Sequence, residues 1–238
     1  MKLFVTDYDD TLYQNDTSIE KNIEKIKELQ ERNFVIMIST GRSYPSIKEQ
    51  VDKYIIPYDY LSCADGSIIY DNKGNIIYQS NLDPVVIERI KKYYQNLPYD
   101  EIQFSYPEGY FNHLKESNLL GINVCISTRL CTKKMVDEFM NIKEEYPDYN
   151  YLYYAHPNYS YLCIKPSDVS KSFAIKVLID KLKIKKENVF VIGDSGNDIE
   201  MIRDYNGVGM TNSCQEILNI TKKQYNELSD YVNDILEM

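Results

Sequence analysis

Three stretches of this 238-residue chain concentrate side chains able to do chemistry. D-Y-D-D-T, Asp7 to Thr11, puts three carboxylates into four residues directly after a short apolar run. S-T-G-R, Ser39 to Arg42, follows a second apolar run, and G-D-S-G-N-D, Gly193 to Asp198, follows a third. Like charges so crowded cost free energy unless something positive sits among them. Asp7, Asp9 and Asp194 would offer Mg²⁺ the oxygen ligands it prefers while it keeps several waters, an arrangement suited to gripping a phosphate oxygen. Taken singly, each cluster has a plainer explanation. Aspartate is favoured at turns and helix N-caps, and Asn197 or Asp198 can cap the helix running into I-E-M-I. Thr40 is a common strand-end residue, and Lys171 in V-S-K-S reads alone as a solvated helix lysine.

The elements that must position these groups alternate. Lys2 to Thr6 reads as a buried strand, and Ser18 to Arg32 as an amphipathic helix with Ile19, Ile23, Ile26 and Leu29 on one face. Phe34 to Ile38 is continuously apolar, as a parallel strand covered on both faces should be. A helix through about Lys53 follows, then β-like runs over Tyr58 to Cys63 and around an Asn72-Lys73-Gly74 turn. The pattern resumes with a helix over Asp168 to Leu182, a strand over Val189 to Ile192, a helix over Asn197 to Arg203 and a final short strand, Gly207 to Met210. This order predicts an α/β fold with a Rossmann-like parallel-sheet core. In such sheets ligands bind outside the carboxyl ends of the strands, so topology brings the three clusters together.

Residues 82–166 have a different texture and read as an inserted α+β domain, leaving 1–81 and 167–238 as the core. Helices over Val85 to Leu97 and Thr132 to Tyr146 each lead into a tyrosine-rich pair of β-like runs. These are Gln103 to Tyr106 with Tyr110 to Leu114, and Tyr151 to Ala155 with Tyr159 to Ile164, and a further strand, Asn123 to Thr128, lies between the copies.

D-Y-D-D-T, S-T-G-R, the lysine of V-S-K-S and G-D-S-G-N-D-I-E-M-I resemble, in order, the four motifs of the haloacid dehalogenase superfamily. S-T-G-R, G-D-S-G-N-D-I-E-M-I and G-M-T-N-S (Gly209 to Ser213) are similar to its Cof-type phosphatases, which carry a cap after the third core strand. The resemblance implies a Mg²⁺-dependent phosphatase of a small phosphomonoester, a sugar phosphate or related metabolite. On it Asp7 matches the nucleophile that forms an aspartyl-phosphate, and Asp9 the general acid and base. Asp7, the Asp9 carbonyl and Asp194 match the metal ligands, with Asp198 behind them. Thr40, Gly41, Lys171 and Asn197 match phosphate contacts, while Arg42 and Asn212 are candidate substrate contacts. Two positions depart from the pattern: Asp10 stands where glycine is usual, and Asp65-Gly66 where Asn-Gly is usual.

The formal charge of −9 argues against nucleic acid or an anionic membrane as the main partner. No apolar run approaches a membrane span, and no signal segment opens the chain. Five cysteines without C-x-x-C spacing suit a cytoplasmic chain with reduced thiols, and a monomer is the expected state. Two other readings share the motifs: a phosphotransferase or phosphomutase using the same aspartyl-phosphate, and an idle member that binds a phosphorylated ligand or a protein.

Overall fold

The computed structural model describes residues 1–83, 85–86, 99, 101–115, 117–127, 129–155 and 158–238. The chain divides into two compact units, Met1–Tyr78 with Ser170–Met238, and Gln79–Val169.

The first unit is built on an eight-stranded sheet of order β13-β12-β11-β1-β2-β3-β4-β5. Its central strands are β1 (Lys2–Thr6), β2 (Phe34–Ser39), β3 (Tyr60–Cys63) and β11 (Val189–Gly193), and β1, β2, β3 and β11 pair in parallel. β4 (Ile68–Asp71) turns back antiparallel on β3, and β5 (Ile76–Gln79) closes that edge. Leu3 and Val5 face one side, where Ala174, Ile175 and Leu178 of α4 (Lys171–Leu182) and Met201 and Ile202 of α5 (Ile199–Asp204) join them in one buried cluster. Phe4, pointing to the other side, meets Tyr231 of α7 (Leu228–Glu237), with ring centroids 6.0 Å apart. Burial on both faces explains why these strands read as unbroken apolar runs.

Helix α1 (Asp16–Glu31) starts where Asn15 accepts hydrogen bonds from the Thr17 and Ser18 N–H groups and donates its own N–H to Ser18 Oγ. It buries Ile19, Ile23, Ile26 and Leu29, the face read from the sequence. α2 (Tyr44–Tyr54) follows β2. α4 begins at Lys171, three residues later than expected, because the Ser170 hydroxyl caps it by accepting from the Phe173 N–H. Gly66 sits against that start: a Cβ there would fall 2.3 Å from the Ser170 carbonyl oxygen, and its φ is +100°. The strand expected to be last is not. β12 (Val208–Met210) pairs in parallel with β13 (Gln224–Tyr225), reached through α6 (Gln215–Ile220), and α7 ends the chain. A two-residue edge strand after a polar T-K-K carries no periodicity to read.

The second unit holds a five-stranded antiparallel sheet of order β7-β6-β8-β10-β9. The strands are β6 (Glu101–Tyr106), β7 (Gly109–Phe111), β8 (Gly121–Ser127), β9 (Tyr149–Ala155) and β10 (Tyr159–Pro166). Ile102, Val124 and Leu162 align across three strands, as do Phe104, Ile122 and Ile164. That apolar face packs on Phe139 and Ile142 of α3 (Lys133–Glu145). Apart from its first two residues, the expected helix over residues 85–97 lies outside the described residues.

Candidate active site

Strand register brings the chemical clusters together. Thr6 of β1 lies beside Ile192 of β11 and Ile38 of β2, so the chain leaves three adjacent strands at Asp7, Asp194 and Thr40. After Asp7 the backbone coils tightly: Leu12 N–H bonds the Asp7 carbonyl, Tyr13 N–H the Tyr8 carbonyl, and Asp10 N–H the Tyr13 carbonyl. This coil puts Asp10 at φ 58°, in the left-handed region where glycine is the default and aspartate among the few tolerated alternatives. The Asp10 residue is exposed, which accounts for the departure from the family's glycine.

Lys171 is the centre of the buried chemistry. Its Nζ donates to Asp7 Oδ1 at 2.6 Å and to Asp198 Oδ1 at 2.7 Å, and all three side chains are almost wholly buried. The other Asp198 oxygen accepts the N–H groups of Asp194 and Ser195 at 3.0 Å each. Gly193 permits this turn, since a Cβ there would meet the Asp198 carboxylate at 2.5 to 2.7 Å. Thr11 Oγ1 donates to Asp194 Oδ1 at 2.7 Å. Asp7, Asp194 and Asp198 each place a carboxylate oxygen within 4.8 Å of the others.

The electrostatics of this cluster favour a further positive charge. Burial pushes Asp7 well above the usual carboxylate range, with Lys171 pulling against it and Asp198 and Asp194 adding to the rise. Asp194 is pushed up to about 6 by burial and by Asp198, against the Thr11 hydrogen bond. Burial opposes the charge on Lys171, but Asp198 and Asp7 outweigh it and hold the ammonium well above its ordinary range. Three buried carboxylates share one ammonium, a hard-oxygen donor set that fits a divalent cation such as Mg²⁺.

A second network borders the first. Thr40 is buried, and its Oγ1 accepts the Arg42 N–H at 3.1 Å while its carbonyl accepts the Asp65 N–H. Asn197 Nδ2 donates to Asp65 Oδ1 at 2.9 Å, and that oxygen lies 3.0 Å from where a Gly41 Cβ would stand. Asp65 is buried at φ 57°. The carboxylate of Asp9 lies apart from the buried trio and is gripped by Arg42, which also donates to Ser46 Oγ and covers the Tyr8 ring. Asn212 donates to the Asp10 carbonyl at 3.4 Å. The sequence reading missed Thr11, Ser46 and Tyr8. Thr11 and Tyr8 stand inside D-Y-D-D-T, but nothing in the pattern signals their contacts.

The model of the haloacid dehalogenase-like hydrolase family matches residues 4–123 and 122–230. The 5-amino-6-(5-phospho-D-ribitylamino)uracil phosphatase of Bacillus subtilis is 24% identical over 240 residues, covering 98% of this chain and 90% of its own. Phosphoglycolate phosphatase 1 of Saccharolobus solfataricus is 24% identical over 208 residues, 85% of this chain and 79% of its own. A solved phosphatase of the superfamily from Bacteroides thetaiotaomicron superposes with a TM-score of 0.81 at 16% identity, covering 100% of this chain and 94% of that one. The chain belongs to the haloacid dehalogenase-like hydrolases, as a Cof-type phosphatase.

Proposed function

We propose that this chain is a Mg²⁺-dependent phosphatase that hydrolyses a small phosphomonoester, a sugar phosphate or related metabolite, through an aspartyl-phosphate on Asp7. The observation that carries this reading is the buried Asp7 carboxylate, bonded by Lys171 and grouped with Asp194 and Asp198. An Asp7 oxygen attacks phosphorus in line as the bond to the leaving oxygen breaks, and Asp9, in its protonated form with one oxygen released from Arg42, gives that oxygen its proton. Asp9 then takes a proton from the water whose oxygen attacks phosphorus, which releases phosphate and restores the Asp7 carboxylate. Lys171, Thr40, Gly41 and Asn197 hold the phosphoryl oxygens and offset the charge spreading over them. Asp7, the Asp9 carbonyl and Asp194, with Asp198 behind them, would hold Mg²⁺, which would supply the positive charge that lets a dianion approach a carboxylate.

The named activities of the Bacillus and Saccharolobus relatives, both on small phosphorylated compounds, support a small substrate. All five cysteines are free thiols, which suits the cytoplasm. The second unit, Gln79–Val169, is assigned to substrate choice. The test is phosphate release from p-nitrophenyl phosphate by the wild-type chain. Turnover that needs Mg²⁺ and stops with EDTA supports the reading. Equal rates with and without the metal overturn it.

A further inference from the structure

The turn after β3 places a carboxylate where the site otherwise offers hydrogen-bond donors. Ala64, Asp65 and Gly66 all take left-handed φ, at 50°, 57° and 100°. Such residues are costly and persist only where surrounding contacts hold them. Here the Ala64 N–H donates to the Arg42 carbonyl at 2.9 Å and the Asp65 N–H to the Thr40 carbonyl at 3.1 Å. The turn is thus clamped to the backbone on both sides of Gly41, while Gly66 backs onto the start of α4, where Lys171 stands.

Three groups assigned to the phosphoryl oxygens therefore converge on the Asp65 side chain, all within the first unit. Asn197 Nδ2 donates to Asp65 Oδ1 at 2.9 Å. A Cβ on Gly41 would lie 3.0 Å from that oxygen and 3.8 Å from Asn197 Nδ2, so Gly41, Asp65 and Asn197 meet at one point. Lys171 Nζ, already bonded to Asp7 and Asp198, also feels the Asp65 charge. Asp65 itself is buried, so solvent screens it little.

An ionised carboxylate accepts hydrogen bonds and donates none. An oxyanion without a proton meets Asp65 oxygen against oxygen and charge against charge. An oxyanion that carries a proton turns the same contact into a charge-assisted O–H···O⁻ hydrogen bond. The neighbouring donors bind either form, and the carboxylate separates them.

We propose that Asp65 makes this site selective for a phosphoryl group that carries one proton, whose P–O–H donates to the Asp65 carboxylate. The ligand class is the monoanion of a phosphomonoester, with hydrogen phosphate as its product counterpart. Its place among Thr40, Gly41, Lys171 and Asn197 rests on the phosphatase reading above.

Phosphate and sulfate provide the test. Near pH 8 both are chiefly dianions of one shape, and only hydrogen phosphate has a hydroxyl. Isothermal titration calorimetry with each anion, on the full wild-type chain with Mg²⁺ and on Asp65→Asn, reads binding without needing turnover. Asparagine tolerates left-handed φ, keeps an oxygen for Asn197 Nδ2, and offers an N–H in place of the charge. Sulfate should bind the wild type at least about tenfold more weakly than phosphate. In Asp65→Asn the gap should close to within about threefold, with sulfate gaining more than phosphate. Equal affinities in the wild type overturn the proposal, as does a gap that Asp65→Asn leaves unchanged, or no phosphate binding at all. A wild type that shows the gap but fails to hydrolyse p-nitrophenyl phosphate sinks the phosphatase reading and leaves this one standing.

Discussion

Arg42 grips Asp9 with two parallel hydrogen bonds, Nε to Oδ2 at 2.8 Å and Nη2 to Oδ1 at 2.6 Å. Its guanidinium carbon lies 5.2 Å from the centre of the Tyr8 ring, and Nη1 reaches Ser46 Oγ. The carboxylate assigned to proton transfer is therefore held by a planar fork that is itself held at two further points. Lysine keeps the charge but cannot reproduce the fork. Arg42→Lys should lower kcat for p-nitrophenyl phosphate about 10- to 100-fold with little change in KM, as loss of orientation does. A raised KM at unchanged kcat would show instead that Arg42 acts on the bound substrate alone.

Asp10→Gly should be nearly silent. Glycine removes the left-handed strain at φ 58° but adds freedom to the unfolded chain, and the two effects oppose each other at about 1 kcal/mol or less. Urea unfolding and the p-nitrophenyl phosphate rate should both stay close to wild type. A several-fold gain in activity would mean that the Asp10 charge bears on the phosphate after all.

Asp65 puts a buried carboxylate between Asn197 and Gly41, two groups assigned to the phosphate. Asp65→Asn keeps an acceptor for Asn197 Nδ2 and removes the charge. The inhibition constant of inorganic phosphate should fall about 5- to 10-fold, the equivalent of about 1 kcal/mol. An unchanged constant would place the bound phosphate away from this turn.

Much of this site is legible in the order of residues, and for a physical reason. Asp7, Thr40 and Asp194 each follow an apolar run, and parallel sheets gather their strand ends. Contacts set by side-chain direction are not legible there. Nothing in S-T-G-R says that Arg42 turns to Asp9, and nothing in D-Y-D-D-T shows that Asp10 takes a left-handed φ. In the second unit the face is the missing quantity. Tyr106 is buried in the apolar cluster and its hydroxyl accepts the Lys115 N–H, while Tyr161 lies on the opposite face beside Cys125. Both stand in tyrosine-rich strands, and only register separates them.

Asp7 and Asp194 also predict how metal binding depends on pH. Both are raised above the ordinary carboxylate value of about 4, Asp194 to about 6, chiefly by burial. A raised group contributes stability that is present in full below its unfolded pKa and is lost as pH rises through the folded value. The metal-free chain thus loses this contribution from about pH 4 upward, for Asp194 between about pH 4 and 6, and Mg²⁺ would replace the lost protons. The rise in Tm on replacing EDTA with Mg²⁺ should be clearly larger at pH 7.5 than at pH 5. An equal or larger rise at pH 5 would contradict a metal held by these carboxylates.

The central claim is that Asp7 itself attacks phosphorus, and the rate of Asp7→Asn tests it most directly. The amide preserves the shape of the side chain but is no nucleophile, so Mg²⁺-dependent phosphate release from p-nitrophenyl phosphate should fall by about 10³-fold or more. A matched thermal melt confirms that the variant is folded. An Asp7→Asn protein as active as the wild type would contradict the account.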